Sequence, residues 1–93
     1  MKPTSNINAE AIVKQIYESQ ALLEDTKKKM KEPGRFIDLT CKMSLRDNCI
    51  AVKQRLKKVR PDKMTEKDLE ELRLATERLR TIADNVFEIY SHH

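Results

Sequence analysis

Glycine and proline interrupt regular structure more strongly than any other residues, and they stand at only three places in this chain: Pro3, Pro33-Gly34 and Pro61. Between and beyond them run long stretches without a turn signal. A sheet of several short strands needs such signals at close intervals. The stretches are instead rich in Lys, Glu, Arg, Leu and Ala, residues that lose little on entering a helix. The expected fold class is all-α.

The first helix is expected over about residues 8–31. Asn8 is a favoured N-cap, and Ile7 and Ile12 stand at the two positions of a hydrophobic staple. Ala9, Ile12, Val13, Ile16, Leu23 and Met30 follow at helical spacing. Glu10/Lys14, Glu24/Lys28 and Asp25/Lys29 are acid-before-base pairs one turn apart. The second helix is expected over 35–59, closed by Pro61. The third, over 65–91, carries the clearest start signal. Thr65 and Asp68 form a capping-box-like pair, with Met64 and Leu69 as a second staple. Leu72, Ala75, Leu79, Ile82, Val86 and Ile89 continue it, and Leu69, Ala83, Phe87 and Tyr90 widen the stripe to a core-sized face. Two short joints imply antiparallel neighbours, so the expected architecture is an up-down-up three-helix bundle in one domain, with residues 1–6 loose. A chain of 93 residues buries roughly 60–65% of its extended surface, which calls for a well-made core or for oligomerisation.

The segment TCKMSLRDNC, residues 40–49, raises the question of a metal or redox site. On a helix, Cys41 and Cys49 share one face about 12 Å apart along the axis. A disulfide needs Cα atoms within about 7 Å, and a tetrahedral metal pair uses a shorter spacing. The thiols are expected to pack as small hydrophobes beside Ile37, Leu45, Val52, Leu56 and Val59. A second apolar face lies nearly opposite, carrying Phe36, Leu39, Met43 and Ile50, and stops halfway along the helix. One stripe suffices in a three-helix bundle, so this second face reads as a partner surface. Arg46 and Asp47 border it and are placed to set register, with a homo-oligomer as the simplest expectation.

The formal charge is +4. Antiparallel packing would gather Lys27, Lys28, Lys29, Lys31 and Arg35 at one pole, with His92 and His93 nearby. Such a pole can attract a polyanion, and nucleic-acid binding is the alternative expectation. It is not the favoured one, because aromatic residues make up only 4% of the chain and no nucleic-acid-binding motif is present. Lysines at a helix C-terminus also simply complement the dipole.

Enzymatic chemistry is not expected. The only histidines are His92 and His93, and a single Gly cannot build a phosphate-cradling loop. Arg73, Arg78 and Arg80 could grip a small anion, but they point in different directions on the helical wheel. No cofactor or metal is expected, and the terminal histidines read as incidental or as part of a tag. No apolar run approaches the ~20 residues of a membrane span, so a cytoplasmic protein is expected. The resulting expectation is a small non-enzymatic binding, adaptor or regulatory protein that acts by helix–helix docking and self-association. Its proposed interface is Phe36, Leu39, Met43, Arg46, Asp47 and Ile50.

Overall fold

The computed structural model describes residues 9–33 and 37–91. The chain forms an all-α three-helix bundle of α1 (Ala9–Met30), α2 (Leu39–Lys57) and α3 (Glu66–Ser91). The expected Asn8 cap with Ile7, the loose residues 1–6, and Arg35, Phe36, His92 and His93 lie outside the described residues.

The ends of the helices follow local chemistry. Past Met30 the Lys31 amide donates to the Lys28 carbonyl at 3.1 Å, and that of Glu32 to Lys29 at 3.3 Å. These three-residue closures tighten the last turn just before Pro33. The second helix starts four residues later than expected. Asp38 takes an extended conformation (φ −53°, ψ 144°), and its carbonyl accepts the first helical bond from the Lys42 amide at 2.8 Å. This is the backbone geometry of an N-cap, a position Asp favours and Arg does not. Ile37 therefore reaches the core from the joint, not from a helical face. At the far end α2 stops at Lys57, two residues short of the expected Val59. The Val59 amide donates to Leu56 at 3.2 Å, a tightened turn before the Arg60-Pro61 step, which disfavours helix. Lys63 N–H then donates to the Arg60 carbonyl at 2.8 Å, closing a turn with Pro61 at its second position.

The capping box of α3 forms as expected. The Asp68 amide donates to Thr65 Oγ1 at 3.1 Å, and the Thr65 amide to Asp68 Oδ2 at 3.2 Å. Met64 is buried and Leu69 packs against its cluster, completing the staple.

The core has two linked parts. In one, Leu23 and Ile37 pack with Leu45, Cys49 and Val52 of α2 and with Leu79, Ala83, Val86 and Phe87 of α3. In the other, Ile12 meets Met64 and Leu72, flanked by Ile16, Val59 and Leu69. Leu56 touches both. Leu45, Val52, Leu72 and Leu79 are essentially inaccessible.

The expected stripes need three corrections. Ala9 and Val13 are exposed, as is Ile89. The inward line of α1 runs instead through Ile12, Ser19, Leu23 and Thr26, with both hydroxyl residues buried. On α3, Thr76 is buried between Leu72 and Leu79. Ser19 and Thr76 are not a defect in the core. Thr76 Oγ1 donates to the Leu72 carbonyl at 2.7 Å, so the 2.7 Å contact between the hydroxyls must use the Ser19 proton. Gln15 Nε2 then donates to Ser19 Oγ at 3.2 Å. The resulting chain, Gln15 to Ser19 to Thr76 to Leu72, uses every hydroxyl proton in one direction.

Candidate helix-docking groove

Helix α2 serves two surfaces. Its inward side holds Leu45, Cys49 and Val52, with Cys41 and Leu56 half-buried against the core. Its outward side keeps the second apolar face in solvent: Leu39 is 71% exposed, Met43 57% and Ile50 43%. The described part of the bundle does not fold over these residues. Arg46 and Asp47 beside them are exposed as well. At about 100° per residue, Arg46 falls on one flank of the apolar stripe and Asp47 on the other. Phe36, expected to complete the patch, lies outside the described residues.

On the Arg46 flank, the end of α1 and the stretch of α2 from Lys42 to Lys53 line an open groove of about 750 Å³. Its cations are Lys27 of α1, Lys31 just past the end of α1, and Lys42, Arg46 and Lys53 of α2, and Glu32 also lines it. Met30, Cys49 and Ile50 give it an apolar floor. The two surfaces expected separately from the sequence thus meet. Ile50 and Arg46 belong to the proposed interface, Lys27 and Lys31 to the proposed polyanion pole, and one groove holds all four.

The basic pole itself is divided. Lys29 is engaged with Asp25 at 3.2 Å and lies over the Phe87 ring, 5.3 Å from its centroid. Lys28 lies at a second hollow, which Glu24, Asp25, Lys27 and Lys31 also line. Lys27 and Lys31 line both this hollow and the groove against α2. Arg35 lies outside the described residues. Lys42 and Lys53 were missed as site residues because each reads, alone, as an ordinary solvated lysine; their place on the same flank as Arg46 was the available signal.

The arginine group on α3 is partly brought together. Arg73 and Arg80 line a hollow of about 230 Å³ with Glu18 and Glu77, while Arg78 does not. Arg73 pairs with Glu70 at 3.7 Å. Two acids matched to two bases leave this hollow without a net attraction for anions.

Both cysteines are free. Cys49 belongs to the buried core, and Cys41 packs against it. Burial pushes the Cys49 thiol above its ordinary pKa, and Lys27 opposes that push electrostatically. A thiol held protonated in this way is a poor nucleophile and a poor ligand. Among the described residues no three His, Cys, Asp or Glu side chains form a metal-sized cluster, and no helix is long and apolar enough to cross a membrane. Comparison with protein-family models, curated proteins and solved structures finds no match to this chain.

Proposed function

We propose that the chain is a non-enzymatic binding protein whose working surface is the outer face of α2 from Leu39 to Ile50, where it docks an amphipathic helix. One observation carries this reading: Leu39, Met43 and Ile50 stay exposed together on a helix whose opposite face already fills the core. Singly exposed apolar residues are ordinary, but a stripe of them beside a groove is a docking surface. The protonated Cys49 thiol and the charge-balanced Arg73/Arg80 hollow favour binding over catalysis.

The up-down-up path belongs to this reading. It is supported by Ile12, near the start of α1, packing with Met64 and Leu72, while Leu23 packs with Ile37 and with Val86 and Phe87. The 3.1 Å ion pair from Arg55, late in α2, to Glu71, early in α3, agrees.

Self-association is the second reading, and Asp47 favours one form of it. In a parallel pair of α2 helices the Arg46 flank of one copy faces the Asp47 flank of the other. In an antiparallel pair like flanks meet, and Lys42, Arg46 and Lys53 repel their own counterparts. A homodimer through this face is therefore expected to be parallel.

The test is a titration of the isotopically labelled chain with a synthetic helical peptide bearing a leucine stripe and uncharged flanks. Amide shifts centred on Leu39, Met43 and Ile50, lost in Met43→Glu with helicity unchanged, support docking. Unfolding of Met43→Glu would show that the face is core. Light scattering over a concentration series separates a copy of the chain from a foreign helix.

A further inference from the structure

The groove beside the apolar stripe narrows the kind of helix that fits, and this step rests on the docking reading above. Between Leu39 and Lys57, α2 carries Lys42, Arg46, Lys53, Arg55 and Lys57 against the single acid Asp47. Arg55 is tied to Glu71. Lys42, Arg46 and Lys53 instead line the groove on one flank of the stripe, and Lys27 of α1 and Lys31 just beyond it line the same groove, with Glu32 as its acid. Lys42 and Arg46 are one helical turn apart, and Lys53 follows about two turns later, roughly 10 Å along the axis. The charges therefore form a row parallel to the stripe.

We propose that this surface binds an acidic amphipathic helix from another protein. Its apolar face covers Leu39, Met43 and Ile50, and a row of Asp and Glu along one edge enters the groove between Lys42, Arg46 and Lys53 on one side and Lys27 and Lys31 on the other. Charge complementarity selects this occupant over the alternatives. A second copy of α2 brings the same cations to the interface when it docks antiparallel, and a single Asp47 per copy when parallel. A phosphate backbone would satisfy the cations but leave the apolar stripe in water. An acidic amphipathic helix satisfies both, and the cationic row fixes its orientation and hastens encounter.

The experiment uses the full chain and three synthetic peptides of about 18 residues, long enough to hold a helix. All share one leucine stripe and differ only in carrying Glu, Gln or Lys along the flank. Binding is read from amide shifts, with oligothymidylate as a competitor. The Glu peptide is expected to bind about tenfold or more tightly than the Lys peptide at low salt, with the gap shrinking as salt rises. In Lys42→Glu/Arg46→Glu/Lys53→Glu the preference should reverse. All three side chains are exposed, so this variant should keep its fold, and the corresponding triple Gln variant, which should merely lose the preference, guards against the case where it does not. Equal binding of the three peptides overturns the acidic partner and leaves helix docking standing. Tighter binding of oligothymidylate than of the Glu peptide, unaffected by Met43→Glu, overturns it in favour of nucleic acid. A concentration-dependent dimer that excludes every peptide overturns it in favour of self-association. No shift with any peptide at millimolar concentration overturns both docking and the acidic partner.

Discussion

Among the described residues, Thr26 is the buried side chain left without a hydrogen-bond partner. Its Oγ1 is inaccessible, whereas Ser19 and Thr76 complete each other's bonds. A buried hydroxyl without a partner costs about 1 kcal/mol or more. Thr26→Val keeps the shape and removes the cost, so it should raise stability by roughly 1 kcal/mol in a denaturant titration. Ser19→Val should do the opposite, since it strands the Gln15 donor and overfills a site sized for a hydroxyl. Cys49 gives a second test at this scale. Its raised pKa means that, at a given pH, less thiolate is present in the folded than in the unfolded chain. The neutral thiol suits burial, so this contribution to stability is intact below the ordinary value of 9.0 and is lost as pH rises through the higher folded value. Cys49 should react with a thiol reagent far more slowly than half-buried Cys41, and denaturant should remove the difference. The packing role of both thiols was legible from their spacing. The buried Ser19, Thr26 and Thr76 were not, because an apolar periodicity skips polar residues that the core accepts through hydrogen bonds.

The three helices differ in how firmly their own residues fix their ends, and legibility follows that difference. The start of α3 was readable to the residue because Thr65 and Asp68 satisfy each other's backbone groups, with Met64 and Leu69 clamping the entry. The start of α2 was misplaced at Arg35 because Asp38 caps with backbone geometry alone and makes no side-chain capping bond. This contrast is measurable. Thr65→Ala should cost about 1 kcal/mol of stability, while Asp38→Ala should cost only a few tenths. Equal effects would mean that the two starts are held alike. The end of α2 was placed two residues too far because the approach to Pro61 tightens the last turn.

At the scale of the molecule, the core face and the spare face of α2 were both visible in the pattern of one helix, because apolar positions repeat with its pitch. The groove was not. It depends on α1 and α2 lying side by side, so Lys27 and Lys31 meet Lys42, Arg46 and Lys53 only after folding. The same folding takes Lys29 out of the lysine run, held by Asp25 and Phe87, and leaves Lys28 at a second hollow with Glu24, Asp25, Lys27 and Lys31. A run of like charges in sequence is thus a poor guide to a charged surface, and a surface assembled from two helices is a better one. Leu45 and Met43 illustrate the division of labour within two positions. Leu45→Ala should cost about 2–5 kcal/mol of stability. Met43→Ala should leave the melting midpoint nearly unchanged and act on binding alone.

The most direct measurement is the set of amide shifts produced in the labelled chain by the leucine-striped helical peptide, in wild type and in Met43→Glu. Wild-type shifts should gather on Leu39, Met43 and Ile50 and be lost in a variant that remains fully helical. Shifts absent in the wild type, or identical in the two proteins, would contradict helix docking.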